Sequence, residues 1–200
     1  MSTKISLIIP CYTINKDLAE MAIRCALSYK DQCDEIIIEE DGGLLNLDLM
    51  QVADRYHYNK ENVGFTKNVN RGWKSAEGDF VMIVNSDTEL MKGNLSDLCI
   101  PGKVTSPNIA NQYIDFLAGP FFVIPKEVTK ERGYLLEELK TYSSDSEYDA
   151  RVRDIFEKVE TVKIYHKQAQ TVKAAGVEGG REQRRDREIY QKLKEEGKVK

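Results

Sequence analysis

The chain has 200 residues, with 29 Lys and Arg against 33 Asp and Glu, a net charge of −4 and 41% hydrophobic residues. This length suffices for one domain with a real core, and the mixed charge lacks the basic stripe of a nucleic-acid-binding protein. No apolar run approaches the roughly 20 residues that a transmembrane helix needs, and the four cysteines form no CxxC pair. We therefore expect a cytoplasmic protein with no transmembrane segment and no nucleic-acid partner.

Apolar strands and amphipathic helices alternate through the first half of the chain. Runs rich in Ile and Val at residues 5–9, 35–38 and 80–84 predict strands that are buried on both faces. Apolar residues at helical spacing between these runs predict helices over residues 18–29 and 65–76. A short helix at residues 47–52 and a small strand at 56–58 are also expected. This order predicts an α/β fold with a mostly parallel central sheet flanked by helices.

The pattern changes past residue 91. Residues 103–106 and 121–124 predict strands, with a break at Gly119-Pro120 and a short helix at residues 125–131. A further helix is predicted from Ser144, which is placed to cap it while Glu147 completes a capping box. The apolar spacing of the following residues extends this helix for about three turns, through Tyr148, Val152, Ile155 and Val159.

The C-terminal region is charged. Residues 161–165 predict a last strand, residues 176–180 a hinge and residues 183–196 a charged helix with a thin apolar seam. We expect this helix to dock on the domain, although pairing of two subunits or contact with an anionic surface are alternatives.

Polar side chains follow the third buried strand directly, at Asn85, Ser86 and Asp87. Ligands of α/β sheets bind beyond the carboxyl ends of the strands. An Asp placed there suits a hard divalent cation that takes further ligands from a substrate diphosphate. An Asp that merely closes a turn is the alternative interpretation.

The first two strands also end in groups that suit a ligand. Tyr12 follows the first strand, and Asp41 ends the second, before Gly42 and Gly43. An aromatic ring can stack on a planar base, and a carboxylate can accept a hydrogen bond from the base or from a ribose hydroxyl. The glycines allow a sharp turn close to a ligand, although Asp-Gly-Gly is also an ordinary turn sequence.

Four segments resemble, in order and spacing, the pattern of family 2 nucleotide-sugar glycosyltransferases with the GT-A fold. They are ISLIIPCY at residues 5–12, IIIEEDGG at 36–43, NVGF at 62–65 with NRG at 70–72, and VNSDTEL at 84–90. The resemblance extends from residue 4 to about residue 166. It implies one Rossmann-like GT-A domain over residues 1–200, with a nucleotide-binding half (1–91), an acceptor half (92–175) and a charged C-terminal helix (176–200).

The resemblance also implies a donor site. Its members contact the base and ribose or border the donor diphosphate, and they are Pro10, Tyr12, Asp41, Asn62, Lys67, Arg71, Asn85 and Ser86. Lys67 and Arg71 are spaced to share a helix face, so a solvated basic pair is the alternative for them.

Asp87 corresponds to the last residue of the family's metal-binding DXD element. The first acidic position of that element is Asn85 here, a departure that resembles the rhamnosyltransferase-like branch. This departure implies that Mn²⁺ or Mg²⁺ is held mainly through Asp87 and the diphosphate. His166, which follows the last predicted strand, is the implied second metal ligand, and a surface or packing role is its alternative.

The acceptor side is implied by two segments of the second half. Gly119 and Pro120 lie in a segment similar to the family's acceptor-lining strand, and SDSEYDAR at residues 144–151 resembles its acidic segment. Asp145 then takes the general-base position, and Glu147 lies beside the acceptor. Alternatively, both acids merely favour a helix N-terminus.

Together these residues predict an inverting glycosyltransferase that moves a sugar from a nucleotide-diphosphate donor, most simply a UDP-sugar, to a hydroxyl of a glycan or glycoconjugate. One alternative is a nucleotidyltransferase, although its Gly-rich loop after the first strand is missing. Another is a non-catalytic nucleotide-sugar-binding domain of a larger protein. The chain is short for the family, which is compatible with a domain of a longer polypeptide, and its oligomeric state stays open.

Overall fold

Among the residues that the structure describes, eight strands form one sheet, with seven helices packed on it or following it. The computed structural model describes residues 3–110, 112, 116–117, 119–168, 170–175 and 177–199. The strands are β1 (Ile5–Cys11), β2 (Glu35–Asp41), β3 (Arg55–Asn59), β4 (Phe80–Val84), β5 (Thr88–Lys92), β6 (Val104–Ile109), β7 (Phe121–Pro125) and β8 (Phe156–His166). The helices are α1 (Lys16–Tyr29), α2 (Leu47–Val52), α3 (Phe65–Ser75), α4 (Lys126–Arg132), α5 (Ser144–Val152), α6 (Gln170–Ala175) and α7 (Val177–Glu195).

The strand order across the sheet is β3-β2-β1-β4-β7-β6-β8-β5. Strands β3, β2, β1 and β4 run parallel to one another, whereas β7 is antiparallel to both β4 and β6. At the far side, β8 is parallel to β6 and antiparallel to β5. The predicted α/β fold is therefore confirmed, with a parallel first half and a mixed second half.

Each face of the sheet has its own hydrophobic core. Successive side chains of a strand point to opposite faces, so Ile36 and Ile38 of β2 pack beneath α1 and α2 while Ile37 packs beneath α3. Burial on both faces explains why the sequences of β1, β2 and β4 are continuous apolar runs.

The predicted helix start at Ser144 differs in detail from the structure. Ser143 is the N-cap residue, its φ of 63° lies in the left-handed region, and no side-chain capping bond forms there. The expected capping box is therefore wrong. The Glu147 carboxylate instead forms an ion pair with Arg151, 2.7 Å from its Nη2 atom.

The same helix is shorter than predicted. It ends at Val152, Ile155 belongs to a 3-10 turn, and Val159 belongs to β8. The reason is tertiary, because Phe156 begins a parallel pairing with β6 opposite Val104.

Two further differences from prediction concern strand β5 and the hinge before α7. Strand β5 was not predicted, and it pairs antiparallel with β8. Residues 177–180 of the predicted hinge form the first turn of α7, whereas Gly176 lies outside the described residues. None of the helices among the described residues combines the length and apolarity needed to cross a bilayer.

Candidate functional site

The carboxyl ends of β1, β2 and β4 meet at one edge of the sheet and open into a cavity of about 400 Å³, a volume typical of small-molecule sites. The donor residues predicted to meet there do line it, and they are Pro10, Tyr12, Asp41, Asn62, Asn85 and Ser86. The metal and acceptor-side residues Asp87, His166, Gly119, Pro120 and Asp145 line the same cavity. The structure therefore brings both halves of the predicted site together.

Asp41 is held rigidly at the end of β2. Its Oδ1 atom accepts hydrogen bonds from Asn59 Nδ2 (3.0 Å) and the Val63 amide (2.8 Å), and Oδ2 accepts one from the Gly64 amide (2.9 Å). Gly64 precedes α3 with a φ of 95°, a conformation that favours glycine. Because a carboxylate oxygen has two acceptor positions, Oδ2 can accept one further bond from a ligand in the cavity.

Glu40 ties together the two loops that carry Tyr12 and Asp41, and it was not singled out from the sequence. Its Oε1 atom accepts hydrogen bonds from the amides of Thr13 and Gly43, both at 3.0 Å, and Oε2 accepts the Thr13 hydroxyl at 2.6 Å. Burial raises the pKa of Glu40, and these bonds act in the opposite direction. In the sequence it stands in a uniformly acidic run, which offers no signal for this role.

The turn from Asn85 to Asp87 is fixed from several sides. The Asn85 amide donates to the Pro120 carbonyl at 2.9 Å, and the Thr88 hydroxyl donates to the Asn85 carbonyl at 2.9 Å. The fully buried Tyr29 donates its hydroxyl to Thr88 Oγ1 at 3.0 Å. Asp87 is thus presented on a turn that the core supports.

Asp87 and His166 lie side by side, with Asp87 Oδ1 3.2 Å from His166 Nε2. The pairing of β5 with β8 places them there, since Thr88 is opposite His166 in the register. Among the described residues no group of three or more His, Cys, Asp and Glu gathers into a metal site. The carboxylate and imidazole suit a divalent ion that takes its other ligands from a substrate diphosphate and water, the usual situation for Mg²⁺.

Asp145 lies in the first turn of α5 and faces Gly119. A Cβ atom added to Gly119 would lie 2.6 Å from Asp145 Oδ2, so the glycine leaves the space that this carboxylate occupies. Burial raises the pKa of Asp145 above its ordinary value, and the negative charge of Asp149 adds to this effect. A raised pKa makes a carboxylate a stronger proton acceptor once it is ionised.

Three predicted residues do not line the cavity. Lys67 is exposed on α3. Arg71 binds the buried Glu39 carboxylate, with Nε at 2.6 Å and Nη2 at 2.5 Å, and Glu147 is paired with Arg151. The cavity-facing residues of α3 are instead Phe65 and Asn68.

One wall of the cavity consists of residues that were not predicted from the sequence. It consists of the loop residues Lys140, Thr141 and Tyr142, with Gln170 of α6 and Glu182 of α7 beside them. Lys140 is the one Lys or Arg among the described lining residues. This loop has no periodicity and α7 is charged apart from a thin apolar seam, so neither shows a pattern that predicts a site.

Comparison with known proteins agrees with this geometry. Residues 6–99 match the family model described as Glycosyl transferase family 2. The match covers just under half of the chain, and the fold is the one that GT-A glycosyltransferase structures share. A search among curated protein sequences gave no match.

Solved structures of S. aureus TarS share the fold. The TarS crystal structure has a TM-score of 0.63 at 18% identity, covering 82% of this chain and 36% of TarS. TarS 1–349 in complex with UDP has a TM-score of 0.63 at 18% identity, covering 81% of this chain and 60% of that one. TarS 1–349 in complex with UDP-GlcNAc has a TM-score of 0.62 at 16% identity, covering 87% and 62%. This chain therefore spans less than two thirds of each of these neighbours.

Proposed function

We propose that the chain is an inverting, metal-dependent glycosyltransferase that moves a sugar from a UDP-sugar to a hydroxyl of a glycan or glycoconjugate. One observation carries this proposal. A single cavity combines Tyr12 and Asp41 at the strand ends, the Asp87–His166 pair, and the half-buried Asp145 carboxylate. The complexes of TarS with UDP and with UDP-GlcNAc support uridine as the donor base.

The donor nucleotide would lie along the carboxyl edge of the sheet. The ring of Tyr12 offers a stacking surface for the base, and Asp41 offers a fixed acceptor for a base N–H or a ribose hydroxyl. The side chains of Asn62, Asn85 and Ser86 add neutral hydrogen-bonding groups along the same wall.

Asp87 and His166 would hold Mn²⁺ or Mg²⁺. When bound, the ion supplies positive charge that offsets the negative charge growing on the leaving diphosphate. His166 would coordinate through its neutral imidazole. The Tyr29–Thr88 hydrogen bond keeps the turn that carries Asp87 in place.

Asp145 would act as the general base. It takes the proton of the acceptor hydroxyl while that oxygen forms its bond to the anomeric carbon, and the bond from that carbon to the diphosphate oxygen breaks with its electron pair leaving on the diphosphate. Attack from the face opposite the leaving group inverts the anomeric centre. No covalent glycosyl-enzyme is needed.

Calorimetric titration of UDP, GDP and TDP, with and without Mn²⁺, tests the donor and metal parts of this proposal. We expect UDP to bind most tightly and only with the ion present, and Asp87→Ala to remove the ion dependence. Asp97→Ala changes an exposed Asp outside the cavity and should leave binding unchanged. Equal affinity for all three nucleotides regardless of the ion would contradict the proposal.

Hydrolysis of the donor separates an enzyme from a binding domain. A glycosyltransferase with a formed site should slowly release UDP from its UDP-sugar even without an acceptor, because water can replace the acceptor hydroxyl. A non-catalytic binding domain would bind the donor and release none.

A further inference from the structure

The charged C-terminal helix α7 contacts the cavity wall at Lys140, Thr141 and Tyr142 through a buried carboxylate. Asp186 is 0% exposed, and its Oδ1 atom accepts the Lys140 amide at 3.1 Å. Its Oδ2 atom accepts the amides of Thr141 and Tyr142 at 2.7 and 2.8 Å. A carboxylate that accepts three successive backbone N–H groups fixes that backbone, because moving the backbone would leave the buried charge with the Arg185 guanidinium, 2.9 Å from Oδ1, in place of all three amides.

A second carboxylate on the same face of α7 contacts the same loop. Glu182 lies one helical turn before Asp186, and its Oε1 atom is 2.6 Å from Lys140 Nζ. Its Oε2 atom accepts the Thr141 hydroxyl at 3.1 Å. Residues four apart share a helix face, so the two carboxylates act on the loop from one side.

The loop is held from its other side by α3. The Thr66 amide donates to the Lys140 carbonyl at 3.1 Å, and the Thr66 hydroxyl donates to the Leu139 carbonyl. Gly64 leaves room for the loop, since a Cβ atom there would lie 2.2 Å from Lys140 Cγ. Residues 139–142 are therefore clamped between the nucleotide-side helix and the C-terminal helix.

This clamped loop leads directly into the catalytic end of α5. Only Ser143 and Ser144 separate Tyr142 from Asp145, and Ser143 turns the chain with a φ of 63°. The Glu147 amide then donates to the Ser143 carbonyl at 2.9 Å and begins the helix. No side-chain cap forms at this start, so the direction of the first turn depends on the loop before it.

We propose that Asp186, assisted by Glu182, is a positioning residue that sets the Asp145 carboxylate against the acceptor side of the cavity. The inference rests on the proposed function, because it requires Asp145 to be the general base. It assigns α7 a part in turnover as well as in stability.

Asp186→Asn tests the proposal, since the amide keeps the side-chain shape but offers only one accepting atom to the three N–H groups. We expect the rate of transfer to fall by about 10- to 100-fold, because misplacement of a catalytic group has an effect of this size. The affinity for UDP should change by a smaller factor. The matched control is Glu188→Gln on the exposed face of α7, which should leave both quantities unchanged.

A double-mutant cycle shows whether Asp186 acts through Asp145. The double variant Asp186→Asn/Asp145→Asn should transfer no more slowly than Asp145→Asn alone. Once Asp145 has lost its carboxylate, its position no longer affects the rate. Multiplied losses in the double variant, or wild-type transfer by Asp186→Asn while Asp145→Asn is slow, would overturn the positioning role and leave the proposed function intact. Wild-type transfer by Asp145→Asn would overturn the general-base assignment and this inference with it.

Glu182→Gln replaces Asp186→Asn in the same cycle if the latter does not fold. It weakens the second contact with the loop, and we expect a smaller loss of transfer that is again absent on the Asp145→Asn background. A loss of equal size on both backgrounds would overturn the proposal.

Discussion

Two carboxylates of the cavity are held in different surroundings, and the difference suits different tasks. Asp41 accepts three N–H donors, from Asn59 at the end of β3 and from the amides of Val63 and Gly64 before α3, which makes it a fixed acceptor for a ligand. Asp145 is half-buried, and its pKa is raised by burial and, to a smaller extent, by the like charge of Asp149. A carboxylate with a raised pKa takes up a proton more readily, as a general base must.

The raised pKa of Asp145 predicts how transfer and stability depend on pH. Transfer should rise with pH through a value above that of an ordinary Asp, because the base must be ionised. A raised pKa means that the folded chain binds the proton more tightly than the unfolded chain, so stability falls as pH rises through this range. Asp145→Asn should therefore gain melting temperature relative to wild type as pH rises.

The pH profile of kcat/KM and paired melting curves measure these effects. Other titratable groups line the cavity, and Asp149 lies on the same helix as Asp145; the lining groups are Cys11, Tyr12, Asp41, Asp87, Lys140, Tyr142, His166 and Glu182. The comparison with Asp145→Asn cancels their contributions to stability. If the melting temperatures of wild type and Asp145→Asn differ by the same amount at all pH values, the pKa of Asp145 is not raised in the folded protein.

Gly119→Ala should disturb Asp145 without disturbing the fold. The added Cβ atom would meet Asp145 Oδ2 at 2.6 Å, and the end of that side chain can move away. We expect transfer to fall by about 10-fold or more, while UDP affinity and melting temperature change little. Gly180→Ala, at a position where a Cβ meets no atom within 4 Å, is the matched control. Unchanged transfer by Gly119→Ala would show that the position of this carboxylate does not limit turnover.

At the scale of elements, the strands buried on both faces were predicted, whereas of the half-exposed ones β3 and only the end of β8 were predicted and β5 was missed. Strands β1, β2 and β4 appear in the sequence as apolar runs because helices cover both of their faces. Strand β8 mixes exposed charged residues with buried ones, and Ile155 and Val159 continue the helical spacing of α5 by coincidence. Pairing with β6 overrides that local pattern.

Docking of α7 shows a second limit of sequence patterns. The helix was expected to dock, and its carboxylates Asp186 and Glu182 contact the loop at residues 140–142. Hydrogen bonds to the backbone of a distant loop leave no periodic signal in the sequence. The contribution of α7 to the cavity wall therefore could not be predicted from the sequence.

The contacts of Arg71 predict a structural role for it, tying α3 to β2 and β3. Its guanidinium binds the fully buried Glu39 and the side chain of Asn59, while His57 Nδ1 lies 2.6 Å from Glu39. Arg71→Ala should cost about 1–3 kcal/mol of unfolding free energy, since the buried Glu39 loses its main charged partner, while the partial exposure of Arg71 limits the loss.

Lys67→Ala is the matched control, because Lys67 is exposed on the same helix and should change stability by less than about 0.5 kcal/mol. Chemical denaturation and UDP calorimetry measure both variants. A large loss of UDP affinity in Arg71→Ala at unchanged stability would instead support the diphosphate contact expected from the sequence.

At the scale of the whole molecule, the site exists only because the two halves share one sheet. Strand β7 pairs with β4, and the Asn85 amide reaches the Pro120 carbonyl. The β5–β8 pairing brings Asp87 to His166, although they are far apart in the chain. Such long-range pairings decide which candidates meet, and single-sequence patterns carry little information about them.

The general-base assignment joins the two halves into one mechanism, and Asp145→Asn tests it most directly. Single-turnover transfer by the purified variant should be measured beside its calorimetric affinity for the donor. We predict that transfer falls by about 100-fold or more while donor affinity is nearly unchanged, because the variant keeps the shape of the side chain and loses only the proton acceptor. Transfer at the wild-type rate with intact donor affinity would contradict this account and leave Asp145 as an acid that only favours the start of α5.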